Sequence, residues 1–168
     1  MQYTTEVLEH FHSPRNVGQL EDYDGIGRFG DPGCGDFLEV TIRMSDDNQR
    51  ISDIRYRIKG CPAAIATSSV ASEMVFQKTV EEALAISDEQ IISALGGLPP
   101  GKEHCSLLAV KAIQQAIQDA VLKRLFRKAG IVASDEEFEK LRDSGGLNEY
   151  FHSCDGSCNE TGSCEVKS

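Results

Sequence analysis

After a short amphipathic opening, residues 4–12 with Val7, Leu8 and Phe11 on one side and Ser13-Pro14 as the stop, the chain switches to a period of two. Leu38, Val40, Ile42 and Met44 alternate with Glu39, Thr41 and Arg43. Ile54, Tyr56 and Ile58 alternate with Arg55, Arg57 and Lys59, and the polar run 45–49 lies between the two stretches. Alternation with one apolar side predicts an antiparallel hairpin buried on one face, and residues 25–30 are read as a weaker third strand. From Pro62 onward every apolar pattern is helical and no strand returns. Strands followed by helices, without alternation of the two, predict an α+β fold in which a small three-stranded antiparallel sheet has helices packed on one face.

Residues 63–78 are rich in Ala and Ser, with Ile65, Val70, Met74 and Val75 as the larger apolar residues, so this helix is expected to pack closely on the sheet. Two capping boxes follow, Thr79 with Glu82 and Ser87 with Gln90, each opening a short helix, and Gly96-Gly97 closes the second. Leu98-Pro99-Pro100 is expected to be extended. A long helix then runs from about Cys105 to Lys128, with Val110, Ile113, Ile117, Val121 and Leu125 on its apolar face. Beyond it the character shifts: residues 130–168 hold nine acidic and three basic side chains, a short helix capped by Ser134 with Glu137, and a tail with Cys154, Cys158 and Cys164. The expected organisation is a domain over 1–128 and an acidic, cysteine-containing extension over 129–168.

A net charge of -10 with no basic stripe argues against nucleic acid as a partner. Lys123, Arg124, Arg127 and Lys128 lie at a helix end, where cations complement the macrodipole. No apolar presequence and no stretch of about 20 apolar residues is present, so the expectation is a soluble cytoplasmic protein that does not enter a membrane. In a reducing compartment six cysteines read as metal, sulfur or redox chemistry rather than disulfides.

Before residue 130 the cysteines are Cys34, Cys61 and Cys105, each in a turn marked by Gly or Pro or at a helix start, and not in a core run. Cys34 lies in Asp31-Pro32-Gly33-Cys34-Gly35-Asp36, where glycines let a bulky group approach and Asp36 can serve as a hard oxygen ligand or a base. Cys61 precedes Pro62 at a predicted helix N-terminus, and Cys105 begins the long helix beside His104. A helix dipole there lowers a thiol's pKa, so all three sulfurs are expected as thiolates. Intervals of 27 and 44 residues are too long for paired zinc knuckles; the fold must gather the ligands from separate turns. His10 and His12, with no cysteine nearby, are read as surface residues.

These stretches resemble the IscU/NifU family of iron-sulfur cluster assembly scaffolds. The matching motifs are Val7-Leu8-Glu9-His10-Phe11 with Ser13-Pro14-Arg15-Asn16-Val17-Gly18, Pro32-Gly33-Cys34-Gly35-Asp36, Lys59-Gly60-Cys61 with Ala64-Ile65-Ala66-Thr67-Ser68-Ser69, and Leu98-Pro99-Pro100-Gly101-Lys102-Glu103-His104-Cys105 with Ser106-Leu107-Leu108-Ala109. The resemblance implies a scaffold, not an enzyme, that takes sulfur from a cysteine desulfurase, builds a labile [2Fe-2S] cluster from iron, and passes it to acceptor apo-proteins. It implies Cys34, Cys61 and Cys105 as ligands, His104 or Asp36 completing the site, Asp36 keeping the cluster labile, and Cys105 as the persulfide acceptor. Zinc in the apo form and a homodimer sharing one cluster both stay open.

Two departures stand out. The Leu-Pro-Pro-x-Lys segment, a docking site for an Hsp70-type chaperone in many members, carries Gly101 where valine is usual. The extension adds His152, Cys154, Cys158 and Cys164, whose spacing reads either as a second small metal site or as a metal-scavenging, redox-sensitive tail. A competing reading is a zinc-dependent sulfurtransferase of the SUF type. Such relatives carry an insertion between the second and third cysteines and generally lack the histidine; the uninserted interval and His104 favour the scaffold.

Overall fold

Three strands, β1 (Gly25–Gly30), β2 (Phe37–Met44) and β3 (Ile51–Lys59), form one antiparallel sheet with β2 in the centre. The structure, a computed structural model, describes residues 2–30 and 35–147. Among the described residues there are six helices: α1 (Thr5–His12), α2 (Pro62–Val75), α3 (Val80–Leu84), α4 (Asp88–Ala94), α5 (His104–Lys128) and α6 (Asp135–Asp143). The α+β class and the three-stranded antiparallel sheet are as the alternation predicts. No helix among the described residues is long and apolar enough to cross a membrane. The chain divides into two units, Met1–Lys123 and Arg124–Ser168.

In the first unit, Leu38, Val40, Ile42, Ile54 and Tyr56 form the buried side of the sheet and join Val7, Val70, Val75, Ile91, Leu95, Ile113 and Ile117 in one core. The other side carries a cross-strand ladder. Arg28 and Arg57 stand opposite Glu39 on either side, and their guanidinium Nε atoms donate to its carboxylate at 2.8 and 3.0 Å. Burial alone would raise the Glu39 pKa, but these two arginines outweigh it and hold the carboxyl below its ordinary value.

Helix α2 is buried along nearly its whole length, which explains its small residues. Its hydroxyls remain satisfied inside: Ser68 donates to Ala64 O at 2.8 Å and Ser72 to Ser69 O at 2.7 Å, the local back-bonding open to Ser within a helix. Close approach also sets how α5 meets β1. A Cβ at Gly27 would stand 1.9 Å from Ala112 O, and one at Gly25 would stand 2.1 Å from Ala116 O, so glycine on the strand and alanine on the helix let the two backbones touch. The apolar stripe of α5 therefore differs from the expected one. Ile113 and Ile117 are buried, but Val121 and Leu125 are exposed while Ala109, Ala112, Ala116 and Ala120 are covered; proximity to the sheet selects small residues over large ones.

The capping boxes at Thr79 and Ser87 form as predicted. The expected extended run at Leu98-Pro99-Pro100 leads directly into a tight turn, in which Lys102 N donates to Pro99 O at 3.1 Å and Gly101 has φ +84°. Pro100 and Gly101 thus occupy the corners of a tight turn, a pairing that favours Pro first and a left-handed Gly second. In the second unit, Phe138 is fully buried and meets Phe126 edge-on at 5.7 Å between ring centres. Arg127 donates to Asp135 at 2.8 Å.

Candidate metal centre

Three chain segments deliver the site. The β1–β2 connection supplies Asp36, just before Phe37 opens β2. Gly30 at its other end has φ +102°, and a Cβ there would stand 2.0 Å from Asp36 O, so glycine is required where the strand leaves the sheet. The β3–α2 junction supplies Cys61 as N-cap of α2, with Pro62 in the first helical turn. The start of α5 supplies His104 and Cys105, the helix's first two residues.

Four donor atoms converge. Cys61 Sγ lies 3.7 Å from Cys105 Sγ and 3.8 Å from Asp36 Oδ2. Cys105 Sγ lies 3.8 Å from the same oxygen and 3.6 Å from His104 Nε2, and His104 Nε2 is 3.9 Å from Asp36 Oδ2. Asp36, His104 and Cys105 alone already place three ligand atoms within 4.8 Å of one another. Two soft sulfurs, one imidazole and one carboxylate suit zinc or iron better than a hard cation such as Mg2+. Exposure is graded across the group: Cys105 is fully buried, the Asp36 side chain is 22 % exposed and that of His104 61 %.

Cys105 departs from the expected thiolate. Burial pushes its thiol up to about 12, and the neighbouring Cys61 and the Asp36 carboxylate add to the effect, opposed in part by Lys102. Position near a helix N-terminus does not outweigh loss of water and two electron-rich neighbours. The surroundings are built for this burial: Ala63 and Ala64 pack against Cys105, and Thr67 Oγ1 lies 3.1 Å from Cys105 O. Thr67 ties α2 to the first turn of α5, a role that no local sequence pattern reveals.

Asp36, Cys61, His104 and Cys105 are thus brought together from positions far apart in sequence. Cys34, His152, Cys154 and Cys158 with Cys164 lie outside the described residues. His10 is not the surface residue expected. Its side chain is 12 % exposed; Nδ1 is 2.9 Å from Ser69 Oγ, the Arg15 guanidinium lies against the ring, and burial followed by the Arg15 charge lowers its pKa. His12 is exposed.

Residues 2–125 match the NifU-like N-terminal domain. The chain is 43% identical over 159 residues to iron-sulfur cluster assembly scaffold protein IscU 1 of Archaeoglobus fulgidus, covering 91% of this chain and 99% of the relative. With the scaffold protein IscU of Aquifex aeolicus it shares 44% identity over 145 residues, 85% of this chain and 92% of that one. The first of these alignments takes in more residues than the segment up to Lys128 holds, so similarity reaches into the C-terminal extension. Among solved structures, the N-terminal part of a NifU-like protein from Brucella abortus superposes with a TM-score of 0.55 at 21% identity, over 71% of this chain and 94% of that one. A SUF-system scaffold candidate from Fervidobacterium islandicum gives 0.57 at 20% identity, over 68% and 96%. Both are likenesses of fold.

Proposed function

Since the chain belongs to the NifU-like N-terminal domain family, we propose that it is a non-enzymatic scaffold on which a [2Fe-2S] cluster is assembled and from which it is handed to acceptor apo-proteins. The observation that carries this reading is the convergence of Cys61, Cys105, Asp36 and His104 at one partly open edge. Iron and sulfide are the cargo. The two thiols described, with Cys34 two residues from Asp36 along the chain, provide the thiolate ligands that such clusters take. Sulfur is supplied by a cysteine desulfurase as persulfide on Cys105, and an external reductant provides the two electrons that convert each persulfide sulfur to sulfide.

What the residues do follows from their chemistry. Metal entry displaces the thiol protons, reversing the penalty that burial places on the Cys105 thiolate. Asp36 contributes an oxygen donor, a poorer partner than thiolate for iron in a cluster, and so keeps the cargo transferable. Exposed His104 marks the side by which cargo arrives and leaves. Docking of an Hsp70-type chaperone on residues 98–102 as an extended segment would require the Pro99–Lys102 turn to open, because Pro99 is buried and Leu98 packs inward. The SUF-type alternative would hold zinc on the same donors and pass persulfide without building a cluster.

Anaerobic reconstitution with iron, cysteine and a desulfurase, followed by absorption spectra and iron and sulfide analysis, tests the proposal. About one [2Fe-2S] cluster per site is expected, with Cys34→Ser, Cys61→Ser and Cys105→Ser each impairing it. Native cluster yield in all three variants would overturn the scaffold; tight zinc with persulfide turnover and no cluster would establish the alternative.

A further inference from the structure

We infer that the two oxygens of Asp36 have separate tasks, and that Gly60 together with the backbone N–H of Cys61 enforces the separation. Oδ1 accepts a hydrogen bond from Cys61 N at 3.2 Å. Oδ2 faces both thiols at 3.8 Å and His104 Nε2 at 3.9 Å. Cys61 is the N-cap of α2 and its own side chain makes no capping bond; the Asp36 carboxylate, arriving from the sheet side, satisfies the backbone N–H of the N-cap residue itself, the donor that the N3 side chain takes in a capping box. A carboxylate anchored through one oxygen presents one oxygen, not a chelating pair, to a metal. Asp36 is therefore a single-oxygen donor whose direction is set by the N-terminus of α2.

Gly60 makes room for this. A Cβ there would stand 3.0 Å from Ala64 Cβ and 3.1 Å from Asp36 Oδ1. Its backbone lies outside the left-handed region, so alanine is conformationally acceptable at this position and crowding is the only cost. Ala64 is fixed in the first turn of α2, whereas Asp36 ends a connection between strands. The carboxylate is what yields. Gly60 is thus a positioning residue: it touches no metal and acts through Asp36.

This inference rests on the metal-site reading above, and the test separates their failures. Co2+ is titrated anaerobically into the full-length protein, and its thiolate charge-transfer and d–d bands are followed. Bands lost in Cys105→Ser belong to this site; if none is lost, the metal-site reading itself fails. Gly60→Ala is expected to weaken Co2+ binding about tenfold and shift the d–d bands, as loss of an orienting partner does. Added to Asp36→Ala, the same substitution should change affinity by less than about twofold, within the tolerance of a double-mutant cycle, because its effect passes through Asp36. Equal losses in both backgrounds, or no loss in the native one, overturn the positioning role.

A second comparison stands even if Gly60→Ala does not fold. Asp36→Asn keeps an oxygen for Cys61 N and loses the charged donor, so it should bind Co2+ as weakly as Asp36→Ala while unfolding close to the native temperature. Asp36→Ala should unfold about 2 to 8 °C lower, the usual consequence of losing a cap. Equal unfolding temperatures for the two variants would refute the division of tasks.

Discussion

At the scale of single residues, the two described thiols differ more than their positions in sequence suggest. Both stand near helix N-termini, but Cys61 is partly exposed and Cys105 has no accessible surface and a thiol pushed up to about 12. Because the thiolate is the reacting species, iodoacetamide at pH 8 under anaerobic, metal-free conditions should modify Cys61 at least about tenfold faster than Cys105, with mass spectrometry of peptides as the readout. Equal rates would mean that the first turn of α5 opens readily. The same contrast bears on sulfur delivery: if Cys105 is the acceptor, the desulfurase must expose it. Neighbours decide this, and they come from α2 and the β1–β2 connection, so a helix-start motif alone could not reveal it.

At the scale of elements, the sheet owes part of its stability to the Arg28–Glu39–Arg57 ladder, which links all three strands on the side away from the main core. The Glu39 carboxyl is held below its ordinary value of 4.5. A depressed folded-state pKa means the unfolded chain binds the proton first. The ladder's contribution is therefore complete above about pH 4.5 and is lost as pH falls through the lower, folded-state value. Urea unfolding of Glu39→Gln should accordingly lose the part of the acid dependence that lies below about pH 4.5, and the variant should be less stable than the native protein at pH 7. Parallel pH profiles for the two proteins would deny the ladder that role. The alternation in β2 and β3 was sufficient to predict the strands, while the ladder depended on the register that places Glu39 opposite both Arg28 and Arg57.

At the scale of the whole molecule, the first unit, Met1–Lys123, contains all four described donors. A protein truncated after Lys128 should therefore fold and bind Co2+ within about twofold of full length, as expected of sites that do not interact, although removal of Phe138 uncovers Phe126. A truncated protein that failed to fold or bind would make residues 129–168 part of the scaffold; loss of one additional metal equivalent would assign His152, Cys154, Cys158 and Cys164 a site of their own. The period-two alternation, the capping boxes and the Gly- and Pro-marked cysteines were readable directly from the amino-acid order, since each depends on neighbours within a few residues. They determined the class of fold, the helix starts and the candidate ligands Cys34, Asp36, Cys61, His104 and Cys105, of which Cys34 lies outside the described residues. Tertiary structure alone decided the rest: which α5 residues are buried, that His10 is enclosed, that Cys105 is held as a thiol, and that Asp36 is oriented by Cys61 N. The reason is common to all four. Each depends on desolvation or on a contact between segments distant in sequence, and neither quantity exists until the chain has packed.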